Sequence, residues 1–339
     1  MITFGSDVSG MGTLSMAGKH VCAKIGANVV ANFTCDTSKA CKKFLFANVH
    51  PKMHYNNVMH RNEKLMPPVD VYGFTSECDT FSMNGKQQGL DDPRGEQFFV
   101  PLKYVQEQKP TCIIAENSPL LLSKFSAVAR TLKDALIGLG YSVQDQLVTT
   151  SDYGIPQKRR RWYLLGIRTS ALRKIKVAPW FPPKMACCVK LTDLMDRLPA
   201  EEMQLLPQAT CERLHVMNAI QKVAEAGHNV QKVPILVDIG GSEAYASFSF
   251  NGISPTLTKT RCASRSYWLT TKGGRLSIDD LARLQGFDPS TFERAGISDS
   301  AMGHMIGNAQ SHNVLVALLP PLLYNAKLIT EQEFVQMTS

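Results

Sequence analysis

The fold turns on the first twelve residues, Met1-Ile2-Thr3-Phe4-Gly5-Ser6-Asp7-Val8-Ser9-Gly10-Met11-Gly12. Residues 1–4 read as a strand, and residues 7–12 as a glycine-bearing loop that precedes a helix. Glycines there let backbone N–H groups approach a ligand closely, although such a pair serves as a plain turn at least as often. Outward from this stretch, short apolar runs alternate with helical periodicity over the first 170 residues. Residues 28–33, 69–72, 111–115, 141–149 and 162–167 read as further strands, and 38–48, 94–107 and 124–139 as helices. The alternation predicts an α/β protein with a doubly wound parallel sheet, whose ligands bind beyond the carboxyl ends of the strands. Asp36, just after the second strand, either binds ribose hydroxyls or caps the helix that follows.

Pro179, Pro182 and Pro183 interrupt the alternation, and a less regular stretch follows, with helical pieces near 191–198 and 211–226. This is read as a second, smaller domain over 176–294. The first domain covers 1–175 and is completed by 295–339, where residues 314–323 give a last apolar helix.

With 339 residues and 44% of them hydrophobic, the chain can bury a large core. No apolar run reaches the roughly 18 residues of a membrane span, and the start is strand-like rather than signal-like, so an intracellular protein with no membrane partner is expected. Nine cysteines without C-x-x-C pairs or zinc-type spacing argue against a disulfide framework and against a metal. The net charge of +8 is concentrated. Residues 153–192 hold ten Lys/Arg and residues 251–278 five, both without an acid, and the rest of the chain is net acidic. Such basic faces suit a polyanion as readily as they suit plain solvent.

The richest motif begins at Asp70-Val71-Tyr72 and runs through Cys78-Asp79-Thr80-Phe81-Ser82 to Gly85-Lys86, Gly89, Asp92, Arg94-Gly95 and Phe98. Ala115-Glu116-Asn117 follows, then Tyr153-Gly154-Ile155-Pro156-Gln157-Lys158-Arg159-Arg160-Arg161. Later come Ser254-Pro255-Thr256-Leu257-Thr258, Arg275-Leu276-Ser277, Leu281-Ala282-Arg283-Leu284-Gln285-Gly286-Phe287 and Gly307-Asn308-Ala309. Each piece alone has an ordinary reading. Cys78 suits a core, Glu116 and Arg161 an internal ion pair, Arg159 and Arg160 phosphate contacts, and Asn308 a helix cap. In this order, and over all but residues 176–250, they resemble the motifs of the cytosine-C5 DNA methyltransferases.

The resemblance implies a Rossmann-like methyltransferase sheet with a smaller target-recognition domain, S-adenosyl-L-methionine as cofactor, and DNA as substrate and partner. Ser9, Gly10, Met11, Gly12, Asp36, Asn57 and Asn308 would hold the cofactor. The Cys78 thiolate would add to C6 of a flipped cytosine. Glu116 would bond its N3 and exocyclic amine, Arg161 its O2 carbonyl, and Arg159 would support Cys78. Ser82, Arg94 and Gln157 would contact the substrate. The enzyme is expected to be a monomer, in the nucleus if eukaryotic and the cytoplasm if bacterial.

The chain departs from the family pattern beside the nucleophile, where Glu77 replaces a proline and Asp79 a glutamine. Carboxylates flanking a thiol disfavour its ionisation. Asn57 replaces an aspartate and keeps an acceptor oxygen, Thr13 replaces a second glycine, and Ser118 replaces a valine. Two alternatives therefore stand beside the leading reading: a catalytically impaired nucleic-acid-binding relative, and a methyltransferase acting on RNA such as transfer RNA. The target sequence is not legible.

Overall fold

The computed structural model describes residues 1–75, 99–241 and 247–339, so Cys78, Ser82 and Arg94 lie outside the described residues. The chain divides into two compact units: Met1–Val148 with Arg160–Pro183 and Val314–Ser339, and Thr149–Arg159 with Lys184–Asn313. Residues 149–159 and 295–313, grouped with the first domain from sequence, thus belong with the second unit, and 176–183 with the first.

In the first unit, β1 (Ile2–Asp7), α1 (Thr13–Ala23), β2 (Val29–Cys35), α2 (Lys39–Asn48), β3 (Met53–Tyr55) and β4 (Val71–Thr75) alternate as expected, with β3 an addition. Then come α3 (Pro101–Gln108), β5 (Cys112–Asn117), α4 (Ser126–Gly138), β6 (Tyr141–Thr149) and β7 (Arg160–Arg168). The helix expected over 94–107 begins at Pro101, whose fixed φ suits a first turn; residues 94–98 are outside the described set.

These strands form one seven-stranded sheet in the order β3-β2-β1-β4-β5-β7-β6. β1, β2, β3, β4 and β5 pair in parallel, the doubly wound parallel sheet expected, and β7 adds an antiparallel strand beside β5. The reason lies in the connection. Only residues 150–159 link β6 to β7, without the crossover helix that a parallel return requires.

Strand and helix faces meet in a core that includes Phe33, Tyr72, Tyr104, Ile113, Leu132 and Trp162. α4 buries Val128, Ala129, Leu132 and Leu136, the stripe its 3.6-residue period dictates. Each large side chain so buried contributes about 1.5–3 kcal/mol of transfer free energy. Gly12 caps α1 in a left-handed conformation (φ 70°). An added Cβ would sit 2.7 Å from the side chains of Leu45 and Val49, so backbone and packing both require glycine there.

The second unit carries α5 (Thr210–Glu225), β8 (Leu236–Asp238), β9 (Phe248–Ser249), α6 (Lys259–Ala263), β10 (Tyr267–Leu269), β11 (Gly274–Arg275), α7 (Ile278–Leu284) and α8 (Asp299–Asn308). Its four strands form an antiparallel sheet, β11-β10-β8-β9. α5 packs Val216, Ala219 and Val223 with Val237, Ile239 and Trp268. Helices α6 and α8 touch backbone to backbone: a Cβ on Gly307 would lie 2.5 Å from the Thr258 carbonyl carbon and 2.6 Å from Lys259 Cα. The chain ends in α9 (His312–Asn325), apolar on most sides and buried over most of its length, and α10 (Glu331–Thr338).

Candidate active site

The parallel strands β1, β2, β4 and β5 open their carboxyl ends on one edge of the first sheet, and antiparallel β7 begins there. That edge is where an open α/β sheet binds ligands. Among the described residues of the first unit it gathers the turn 9–12, Asp36, Glu116 and Arg161.

At the end of β1 the chain turns over Ser9, Gly10, Met11 and Gly12. Ser9 N–H donates to the Cys35 carbonyl at 2.9 Å, and the Ser9 hydroxyl oxygen accepts from Cys35 N–H at 2.9 Å, which ties the turn to the end of β2. Met11 is fully buried. An added Cβ on Gly10 would meet nothing within 4 Å, so space is open beside the turn.

Of the two readings of Asp36, the cap belongs to its neighbour: the Ser38 hydroxyl accepts from Cys41 N–H and caps α2. Asp36 Oδ1 accepts from Ser38 N–H at 2.9 Å, and Oδ2 from Gly10 N–H at 2.8 Å. The carboxylate thus joins the turn to β2 and, with two of about four lone-pair sites used in these bonds, retains acceptor capacity. Asn57 Oδ1 accepts from Met59 N–H at 2.9 Å, a local bond that fixes its side chain in the segment after β3.

Glu116 and Asn117 end β5 and are buried. Glu116 pairs with Thr75, the last residue of β4, on one side and with Tyr163 of β7 on the other. Arg161, second in β7, brings its Nε to 3.2 Å from Glu116 Oε1, with side-chain exposures of 19% and 4%. The half-open guanidinium and the nearly covered carboxylate set opposite charges side by side at the sheet edge. Cys78 follows Thr75 by three residues in the sequence.

The segment 157–160 alternates inward and outward, as an extended chain does: Gln157 and Arg159 are buried, Lys158 and Arg160 exposed. Gln157 is fully covered within the second unit. Its Nε2 donates to the Leu284 carbonyl at 2.6 Å and to Gln285 Oε1 at 3.0 Å, and its Oε1 accepts from Leu257 N–H at 3.2 Å. An amide so committed props its own loop. Arg159 is likewise covered, with Nη1 donating to the carbonyls of Leu257 at 2.9 Å and Gly307 at 3.1 Å. Gln285 Nε2 donates to the Ala309 carbonyl at 2.5 Å. In the second unit, therefore, the arginine segment and the segment 307–309 share one buried polar hub. Gln285 is its junction, a role its motif did not disclose. Asn308 ends α8 and is exposed.

Among the described residues no cluster of three or more His, Cys, Asp or Glu can hold a metal. Nor is any of their helices long and apolar enough to cross a membrane.

A doubly wound sheet with a glycine turn after its first strand and an acid after its second defines a nucleoside-binding class of fold. The chain belongs to the C-5 cytosine-specific DNA methylase family, whose profile matches residues 6–322. It is 31% identical over 313 residues to the type II methyltransferase M.MthTI of Methanothermobacter thermautotrophicus, covering 84% of this chain and 87% of that one. To the type II methyltransferase M.HhaI of Haemophilus parahaemolyticus it is 27% identical over 260 residues, 75% of this chain and 76% of the relative. Among solved structures, a putative DNA modification methyltransferase encoded in an Escherichia coli prophage superposes with a TM-score of 0.66 at 20% identity, covering 97% of this chain and 100% of the other. That last likeness bears on the fold alone.

Proposed function

We propose that this chain methylates C5 of a cytosine flipped out of DNA, with Cys78 as the nucleophile and S-adenosyl-L-methionine as methyl donor. The observation that carries the reading is the Glu116–Arg161 pair at the carboxyl edge of the sheet, beside the strand that leads to Cys78. Opposite charges held together there match a pyrimidine edge. Glu116 holds N3 and the exocyclic amine, and Arg161 holds O2, so that charge entering the ring on thiolate addition to C6 meets fixed partners. The addition places a sulfur–carbon bond at C6 and raises electron density at C5.

Arg159 is buried in the second unit on the carbonyls of Leu257 and Gly307. Arg160 and Lys158, both exposed, contact phosphates. Ser82 and Arg94 contact the substrate.

The first-unit turn fits the cofactor: it has open space beside Gly10 and an acid with acceptor capacity at Asp36. Ser9, Gly10, Met11, Gly12, Asp36 and Asn57 would hold it. When bound it supplies an electrophilic methyl group on a sulfonium sulfur. The second unit reads the target sequence, and the enzyme works as a monomer, in the nucleus of a eukaryote or the cytoplasm of a bacterium.

Transfer of tritiated methyl groups to duplex DNA tests the reading, with structured RNA as competitor. Wild-type protein is expected to label DNA and Cys78→Ala to label neither polymer. Labelling that survives Cys78→Ala, or labelling confined to RNA, would contradict it. Glu77 and Asp79 favour one second reading, a binding protein that no longer catalyses, and DNA binding without any labelling would support it.

A further inference from the structure

Beneath the glycine turn lies a charged cluster that this chemistry does not use. Asp7, the last residue of β1, is 2% exposed. Arg61, four residues beyond Asn57, has a side chain only 1% exposed. Its two terminal nitrogens fork onto that carboxylate, Nη1 donating to Oδ1 and Nη2 to Oδ2 at 2.5 Å. Oδ2 also accepts the hydroxyl of Tyr72, a wholly buried residue of β4. The guanidinium carbon stands 6.0 Å from the ring centres of Phe33 and Tyr55. Burial alone would lower the Arg61 pKa, but Asp7 more than reverses this and holds the group cationic. Burial, and then Asp7, push the Tyr72 hydroxyl well above its usual range, so it stays a neutral donor.

A buried ion pair adds little net stability over apolar packing of the same shape. What a guanidinium fork adds is direction, since two parallel bonds fix both distance and angle. Here the fork is followed at once by a strained residue. Val8 lies in the left-handed region (φ 49°), which a β-branched residue rarely adopts, and it is 36% exposed. On its far side Ser9 is tied to Cys35. The chain is therefore clamped before and after Val8, and the clamp before it also anchors the segment bearing Asn57.

We propose that Asp7, Arg61 and Tyr72 are positioning residues for the cofactor, fixing the turn at Val8 and the Asn57 segment at one mutual geometry. The inference rests on the cofactor reading above. Its test compares thermal unfolding with calorimetric binding of S-adenosylhomocysteine in wild type, Arg61→Lys and the double variant Asp7→Leu/Arg61→Met. The double variant removes both charges at similar volume but takes the acceptor from the Tyr72 hydroxyl and the 3.6 Å partner from Glu63, so it is expected to stay folded with a melting temperature lowered by several degrees. Its affinity for S-adenosylhomocysteine is expected to fall about tenfold or more, because apolar contacts do not fix the angle. Binding of duplex DNA without cofactor should stay within about twofold.

A folded double variant that binds S-adenosylhomocysteine as tightly as wild type would overturn the proposal. If that variant fails to fold, Arg61→Lys decides: it keeps the charge and loses the fork, so the same tenfold weakening is expected and unchanged binding overturns the idea. Wild-type protein that does not bind S-adenosylhomocysteine would instead refute the cofactor reading itself, and this inference with it.

Discussion

Replacing Glu116 by glutamine preserves the shape of the side chain and removes its charge, which separates what the carboxylate does for folding from what it does for a bound base. Breaking a fully buried ion pair costs about 3–5 kcal/mol, and an exposed pair contributes about 0–1 kcal/mol. Glu116 is nearly covered, but Arg161 keeps 19% of its side chain in solvent, so the guanidinium left without its 3.2 Å carboxylate partner remains partly hydrated. The expected loss of stability is therefore about 1–2 kcal/mol, a drop of a few degrees in melting temperature. The reaction should lose far more. A charged partner that meets charge developing in the ring contributes on the order of 10²–10³ in rate, or about 2.7–4 kcal/mol. Single-turnover methyl transfer at saturating DNA, alongside thermal unfolding, reads both quantities. A variant that stays folded and reacts within about threefold of wild type would refute the assignment of Glu116 to the base edge.

Gln157→Leu removes the amide that holds Leu257 N–H, the Leu284 carbonyl and Gln285, all inside the second unit. It should cost about 3 kcal/mol or more in urea unfolding; a loss under about 1 kcal/mol would contradict the hub. Gly307→Ala drives a methyl group into the Thr258–Lys259 backbone and should destabilise by about 1–3 kcal/mol, seen as a lower melting temperature. Among the described cysteines, exposed Cys188 and Cys211 should react with a thiol reagent in the native protein. Cys187 should follow more slowly, since burial raises its pKa, and buried Cys22, Cys35, Cys41, Cys112 and Cys262 should react only on unfolding.

The same burial makes the fold alkali-sensitive. It pushes the Cys22 thiol up to about 11 and those of Cys35, Cys41 and Cys262 to about 12. Unfolded thiols titrate near about 8.5, so the native state holds more protons above that pH. This stability is complete below about pH 8.5 and is lost as pH climbs through 11 to 12, so the urea midpoint should fall between pH 8 and 10.5. A flat profile would contradict it.

Much of the first unit was legible because its strands are compact β-branched and aromatic runs; residues 141–149 were read to the residue. The direction of β7 was not, because strand periodicity carries no sign and only the short link 150–159 sets it. The second sheet went unread for a different reason. β9 and β11 span two residues each, and β8 and β10 three, too few to show a period of two. α8 was hidden by Gly303 and Gly307, which weaken helix propensity and are present because the α6 backbone passes too close for any Cβ. Glu116 and Arg161, named from separate motifs, stand side by side in the structure. The burial of Gln157 was not legible, because a polar residue in a basic run gives no sign of facing inward. The Asp7–Arg61–Tyr72 cluster joins Asp7 to residues more than fifty positions away, and nothing local in the sequence announces it.

The most direct test of the whole account is covalent capture. Wild-type protein incubated with S-adenosyl-L-methionine and a duplex carrying 5-fluorocytosine should form a denaturation-resistant complex, because fluorine at C5 blocks the elimination that frees the enzyme. Peptide mass analysis should place the nucleotide on Cys78. Absence of the adduct while methylation of ordinary DNA proceeds, or its appearance on another residue, would contradict the assignment of Cys78 as nucleophile.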